Sequence, residues 1–467
     1  MSFNSFEFLI FLPIVFVLYW FVLNKTLKWQ NALLLCASYL FYGWWDWRFL
    51  FLLIFSTGLD FYTGLKIFEA STERNKKIWL YTSIVINLGF LGFFKYYNFF
   101  IENWVLAFKA IGYQMNPWTL SIILPLGISF YTFHGVSYVI DIYKGRIEPT
   151  RNWVNYSVFV GYFPLLVAGP IERATHLLPQ VEKPRKFSYA QAIDGLKLII
   201  WGMFKKVVVA DNLAKPVNDI FANYTNYSGG TLILGGIFFA FQIYGDFSGY
   251  SDIARGVSKC FGIELLLNFD RPFSSKSVTE FWRRWHISLS TWFFDYVFNP
   301  IVITLRNWGR NTTIVFGLLS TFLLTGLWHG AGWKFIIYGL LNGSAVVYEY
   351  LAKKQRVKLF SYLPKFVNDT LSKVITIGYM CVCWVFFRSR DVASSLGYLK
   401  RCFHFKGTID FKQDFIYIII YLALSIVLFF QNNTVWYKYC KIALYYPMLW
   451  FILENMFKPT EFIYFQF

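Results

Sequence analysis

Four runs of the chain, FLIFLPIVFVLYWFVL (8–23), TLILGGIFFAFQIYG (231–245), TTIVFGLLSTFLLTGLW (312–328) and DFIYIIIYLALSIVLFF (414–430), are nearly free of charge. A helix needs roughly 20 such residues to cross the hydrocarbon of a bilayer, and these runs come close to that length. The whole chain agrees with them: 57% of its 467 residues are hydrophobic and 15% charged, beyond the roughly 45–50% apolar content of soluble domains. Phe, Trp and Tyr make up 22%, with many Trp and Tyr near segment ends, where amphipathic rings anchor at the headgroups. The expected fold is an all-α, polytopic membrane protein with about 11 to 13 membrane segments. With no linker, low-complexity tract or internal repeat, one integral domain over 1–467 is expected, its motif-bearing core at about 120–345.

The first apolar run lacks a basic leader and a small-residue cleavage site, so it reads as a retained helix. Lys25 and Lys28 follow it, and Lys66, Arg74, Lys76 and Lys77 close the loop after two further segments. Both loops then fall on the cytoplasmic side by the positive-inside rule, with the N-terminus outside, and KKQRVK (353–358) reads the same way. The net charge of +18 fits this bias and an attraction to anionic lipid. A share is available to concentrate an anionic substrate. The basic residues are scattered through membrane-flanking loops and form no single patch, which argues against nucleic acid as a partner. The six cysteines form no CxxC pair, so no disulfide framework and no metal site is expected.

Residues 246–310 differ in character, being too polar to span lipid continuously and too aromatic for a solvated loop. Irregular or half-spanning backbone at membrane depth is tolerated where protein or a water-filled cavity covers it. This region is therefore the expected cavity lining. Pro and Gly interruptions in LPLGISFYTFHGVSYVIDIYKG (124–145) and YFPLLVAGPIERATHLLPQ (162–180) predict broken or re-entrant helices.

Two histidines stand out. His329, in TGLWHGAGW (325–333), ends an uncharged run and is followed by Gly330 and Gly332, which permit close approach of backbone or ligand. Both ring nitrogens need partners, and leaving one unmade in a dry site costs about 1–3 kcal/mol. Ionisable groups inside membranes tend to be functional and to face the protein interior. A satisfied interhelical hydrogen bond is the competing account. His286 lies in EFWRRWHISLSTWFFDY (280–296), where Phe281, Trp285, Leu289 and Trp292 predict one helical face. Helix logic alone leaves open an interfacial amphipathic helix whose arginines touch headgroups. His134 reads as a core or helix-contact residue, His176 lies in a loop-like polar run and His404 in a basic tail. GxSxG, GxxxxGK[ST] and HExxH are absent from the sequence, which argues against a serine hydrolase of soluble type, an ATP-driven pump and a zincin.

FWRRWHISLSTWFFDYVFNP (281–300), followed by His329 in TGLWHGAGW, resembles the membrane-bound O-acyltransferase family. The likeness is to its bacterial branch, which contains the alginate O-acetyltransferase membrane subunit and its peptidoglycan and teichoic-acid relatives. YGDFSGYSDIARG, FPLLVAGPIER and the N-terminal FNSFEFLIFLPIVFVLYW resemble the same branch in the same order. After FDYVFNP that branch usually continues with a glycine-rich turn, whereas this chain reads IVITLRNWGRN.

The resemblance implies membrane helices ringed around a central tunnel, with re-entrant or interfacial helices. It places His329 buried near the reaction point and His286 nearer the cytoplasm, in the cytoplasmic membrane of a bacterium. It also implies an acyl group, most simply acetyl, taken from cytoplasmic acetyl-CoA as substrate with no permanently bound cofactor. The group would pass towards an extracytoplasmic polysaccharide or a partner acetyltransferase. His329 is the expected general base, and His286 the group that positions the thioester, assists proton transfer or accepts the acyl group. Arg283 and Arg284 are expected at donor phosphates, with Trp282, Trp328, Asp246, Ser248, Tyr250 and Asn299 lining the binding path. D-alanyl transfer to teichoic acid, a transporter and a non-catalytic export scaffold are the alternatives carried forward.

Overall fold

A computed structural model of the protein describes residues 1–360, 362–404 and 448–456. The apolar run at 414–430 and Cys440 lie outside the described residues. Among the described residues every regular element is a helix. The chain gathers into two compact units, Met1–Ile199 with Ser251–Leu266, and Ile200–Tyr250 with Leu267–Phe467.

The first unit holds α1 (Phe6–Val17), α2 (Leu27–Asp46), α3 (Arg48–Glu69), α4 (Glu73–Ala110), α5 (Ile128–Tyr143), α6 (Trp153–Gly161), α7 (Ala174–Glu182) and most of α8 (Tyr189–Met203). Ser5, Thr26, Thr72 and Asn152 begin α1, α2, α4 and α6, each side chain accepting from a backbone N–H three residues on. That bond satisfies one of the orphan donors at a helix start. The first apolar run is one helix in two geometries, α1 passing at Leu18 into a π-helical turn to Val22.

A buried polar strip joins α3 to α4. Ser83 Oγ and Asn87 Nδ2 donate to Asp60 Oδ1 at 2.6 and 2.7 Å, and Ser56 Oγ donates to Asn87 Oδ1 at 2.6 Å. In lipid, where tails are as apolar as leucine, such bonds and close packing hold helices together. The interruption expected near 162–180 is real. The chain from Tyr162 to Ile171 is irregular yet almost wholly buried, the condition under which such backbone is tolerated at depth.

The second unit contains a π-helical turn, Phe204–Ala210, then α9 (Asp211–Ala222) and α10 (Gly229–Cys260) as far as Tyr250. It continues with α11 (Val278–Arg284), α12 (Ile287–Phe293), α13 (Asn299–Thr304), α14 (Arg310–His329), α15 (Trp333–Leu351), α16 (Lys353–Phe360), α17 (Lys365–Arg388) and α18 (Val392–Arg401). α14 and α15 pack backbone to backbone. A Cβ at Gly326 would lie 2.2 Å from the Phe335 carbonyl oxygen, and one at Gly339 would lie 2.3 Å from that of Phe322.

Among the described residues five helices, α3, α4, α10, α14 and α17, are long and apolar enough to cross a membrane. Shorter and broken helices account for other apolar runs that the sequence reading counted towards 11 to 13 segments.

The single helix predicted over 280–296 is broken. α11 ends at Arg284 and α12 begins at Ile287, with His286 between them in the left-handed region at φ 45°, ψ 52°. The irregular segment before α11 supplies other backbone partners at the break. Asp270 N–H donates to the Arg284 carbonyl, and Ile287 N–H to that of Asn268, both at 2.9 Å. Those bonds replace the helical ladder, and the left-handed residue turns the chain.

Candidate active site

The break at His286 sets its ring against Trp328, the residue before His329. A non-glycine residue in the left-handed region costs of order 1–3 kcal/mol, and such residues cluster where surrounding structure holds them for function. Here the holder is Asn268. Its Oδ1 accepts from the Ser288 backbone N–H at 3.3 Å and from Ser288 Oγ at 2.9 Å, and it faces His286 Nδ1 at 3.1 Å. A backbone N–H only donates, so the Asn268 atom facing it is the amide oxygen. The same oxygen then requires the proton on His286 Nδ1 and leaves the Nε2 lone pair unprotonated in the neutral ring. His286 is completely buried, and its Nε2 has no hydrogen-bond partner among the described residues. Burial favours that neutral form.

His329 closes α14 and is 4% exposed. Three aromatic rings pack on it edge-on, Trp328 at 5.1 Å, Phe387 at 5.2 Å and Tyr338 at 5.8 Å between centroids. Trp328 also meets the His286 ring at 5.8 Å. One indole thus touches both histidines, 43 positions apart in sequence. The glycine after His329 has a packing reason: a Cβ at Gly330 would lie 2.2 Å from the Phe335 ring. The close approach expected from sequence is made there by the chain's own side chain.

The other predicted residues divide. Phe247 of α10 lies against His286 at 4.5 Å, while its neighbours Asp246 and Ser248 bond to the π-helical turn. Lys206 Nζ lies 2.7 Å from Asp246 and 2.8 Å from Asp211, and Lys205 Nζ donates to Ser248 Oγ at 2.9 Å. Both lysines are 7% exposed. Tyr250 is buried one turn further along α10. Trp282 is buried, its Nε1 donating to Asn342 Oδ1 of α15 at 3.1 Å. Arg284 pairs with Glu280 at 2.9 Å and more loosely with Asp270, whereas Arg283 is exposed and has no ion pair among the described residues. Asn299 begins α13, half-exposed, with no polar bond to either histidine among the described residues.

Sequence reading missed Asn268, Lys205, Lys206 and Glu349. Glu349 of α15 accepts from Val278 N, Thr279 N and Thr279 Oγ at 2.6–2.9 Å, fixing the start of α11. The paired lysines had a signal, since two cations inside the apolar stretch GMFKKVVVA are the kind of intramembrane charge that marks a site. His134 is a satisfied structural residue of the first unit. Its Nε2 accepts from Glu172 N at 3.1 Å, and its Nδ1 faces the Val160 carbonyl oxygen.

Two buried imidazoles in contact with one indole suit proton transfer at a bond-forming oxygen in a water-poor setting. Comparison with known proteins identifies the family. The profile of the membrane-bound O-acyltransferase family matches residues 149–389, which include every one of the predicted site residues. The chain is 38% identical over 394 residues to a probable alginate O-acetylase AlgI of Azotobacter vinelandii, covering 84% of this chain and 75% of the relative. It is 34% identical over 419 residues to a peptidoglycan O-acetyltransferase of Helicobacter pylori, covering 84% of this chain and 77% of that one. A teichoic acid D-alanyltransferase of Bacillus subtilis matches at 32% over 275 residues, 57% of this chain and 69% of the relative. With His286 and His329 inside the matched span, the chain belongs to the membrane-bound O-acyltransferase family and is an O-acyltransferase.

Proposed function

We propose that this enzyme takes an acetyl group from cytoplasmic acetyl-CoA and delivers it towards an extracytoplasmic polysaccharide hydroxyl, directly or through a partner acetyltransferase, in the bacterial cytoplasmic membrane. The observation that carries the reading is the pair of buried histidines sharing Trp328. A hydroxyl attacks a thioester well only if its proton leaves as the new bond forms, and a neutral imidazole supplies that assistance, typically about 10²- to 10⁴-fold. His329 is the base. It takes the hydroxyl proton as the oxygen bonds to the thioester carbonyl carbon. The carbon–sulfur bond then breaks, and the departing thiolate recovers a proton from the imidazolium, so an ester and free coenzyme A result. His286, with its Nε2 lone pair fixed by Asn268, orients the thioester or relays that proton. The similarity to alginate and peptidoglycan O-acetyltransferases supports acetyl as the group and a glycan as the acceptor.

The test is turnover of acetyl-CoA by purified protein with glycan acceptor or partner present. His329→Ala is expected to lower the rate by about 10²-fold or more while keeping the thermal transition of the parent. A folded His329→Ala protein that turns over at the parental rate removes the mechanism. Mass analysis of envelope glycans from cells with and without the protein then identifies the ester. Loss of acetyl esters supports this reading, and loss of D-alanyl esters supports the alternative shared with the Bacillus subtilis relative.

A further inference from the structure

The second unit contains a cavity of about 440 Å³ walled by α11, α12 and a further π-helical turn, Phe294–Phe298, on one side and by α14 on the other. That volume lies in the range of roughly 300–1,000 Å³ typical of ligand pockets. Its surface is built from Leu289, Phe293, Phe298, Leu318, Phe322 and Val346, with several hydroxyl side chains between them. Those hydroxyls are turned to the protein. Thr279 donates to Glu349, Thr291 to the Ile287 carbonyl, Thr321 to that of Gly317 and Thr325 to that of Thr321, at 2.6–2.9 Å. Ser290 donates to the Trp285 carbonyl at 3.4 Å, and the Trp282 indole N–H is taken by Asn342. One donor in the wall remains, the guanidinium of Arg283, which has no hydrogen bond or ion pair among the described residues.

Depth gives this arginine its meaning. α14 has 20 residues, about 30 Å of helix, which matches the hydrocarbon thickness. Leu318, Thr321, Phe322 and Thr325, which face the cavity, belong to the middle and later part of that span. Trp282, adjacent to Arg283, packs on Phe322 with ring centroids 5.4 Å apart. A cation lining a cavity at that level is costly unless an anion or water meets it. The walls exclude a polar ligand, because its carbonyls would find no donor except the guanidinium. Coenzyme A, with amides along its arm, is a poor match for this lining, and so is a sugar. A hydrocarbon chain carrying a phosphate satisfies both halves, the chain against the apolar wall and the phosphate in the planar fork of an arginine.

We propose that this cavity binds an anionic phospholipid, one acyl chain lying between α12 and α14 and the phosphate seated on Arg283. The site is separate from the acyl donor and needs no assumption about the transfer reaction. Its inner wall includes Ile287, next to His286, and Thr325, one turn before His329.

The experiment uses the full-length protein in phosphatidylcholine nanodiscs, doped with trace phosphatidylglycerol carrying a photoactivatable group near its chain end. The control probe has the same chain under a phosphatidylcholine headgroup. Peptide mapping after illumination is expected to place the phosphatidylglycerol label on 287–298 and 318–325, several-fold more strongly than the control. Arg283→Gln should reduce the phosphatidylglycerol label to the control level, and Leu318→Trp, which puts an indole into the cavity, should weaken both. Equal labelling by the two headgroups in the parent protein would mean ordinary boundary lipid and overturn the proposal without recourse to any variant. Displacement of the phosphatidylglycerol probe by coenzyme A would also overturn it, by assigning Arg283 to the donor.

Discussion

Asn268 is the residue on which the state of His286 turns. Three groups converge on its side-chain oxygen, and its carbonyl receives the Ile287 N–H, so a single neutral amide fixes both the left-handed backbone and the ring's tautomer. On the proposed mechanism, Asn268→Ala should lower acetyl transfer by about 10- to 100-fold, the range typical of residues that orient a functional histidine. Asn268→Asp keeps an acceptor for Nδ1 and adds negative charge, which favours the protonated ring. Its activity should therefore be lost at a higher pH than the parent's as the solution is acidified. A pH–rate profile for both variants checks this, and a purely structural asparagine would leave the acid limb where it was. The two histidines were legible in sequence because an ionisable ring at the end of an apolar run is conspicuous. Asn268 was not, since a neutral amide at the head of NFDRPF reads as the start of a loop, and only its long-range pairing reveals the role.

Among the elements, periodicity found the helical character of 280–296 and missed its break. The apolar residues Phe281, Trp285, Leu289 and Trp292 keep helical spacing through His286, yet α11 and α12 are separate because segment 268–270 takes over the backbone bonds at the junction. A local pattern carries no information about such a partner. The α14–α15 pair is sensitive for a different reason. Gly326→Ala places a methyl 2.2 Å from a backbone oxygen that is not free to rotate away, and overpacking of this kind typically costs about 1–3 kcal/mol. A lowered thermal midpoint in detergent, with activity falling in parallel because α14 carries His329, is the expected result.

The short helix α7 supplies a pH response in the first unit. Its His176 Nδ1 lies 2.7 Å from Glu172 Oε2, and Glu172, itself fully buried, also accepts from Leu266 N through Oε1. The hydrogen bond to Glu172 raises the His176 pKa against the opposing effect of partial burial, with Glu264 adding to the rise. A folded-state pKa above the unfolded value means that the contact stabilises fully below about pH 6.5. The stabilisation is lost as pH rises through the folded value. The thermal midpoint of the parent should fall across that window relative to His176→Gln, and parallel curves for the two proteins would remove the assignment.

Across the whole molecule, class was easier to read than architecture. Apolar runs identified an all-helical membrane protein, and five helices among the described residues are long and apolar enough to cross a membrane. The run 8–23 passes from α-helix into a π-turn, and the buried stretch 162–171 is irregular. Hydropathy registers the environment of a segment; whether it crosses, turns back or unwinds depends on contacts elsewhere in the chain. The charge balance of +18 is also a property of the whole chain, and it carries a prediction of its own. A phosphate-bearing thioester should be concentrated at a cationic surface, an attraction that salt screens as the Debye length contracts from about 30 Å at 0.01 M to about 8 Å at 0.15 M. If acetyl-CoA is the donor, as proposed, its KM should rise with ionic strength while kcat holds steady. Acetyl-N-acetylcysteamine, which has the same thioester without phosphates, should show no such rise when assayed in parallel. If both thioesters respond to salt alike, the cations act on the protein's own stability or on its lipid surroundings, and charge steering of the donor is ruled out.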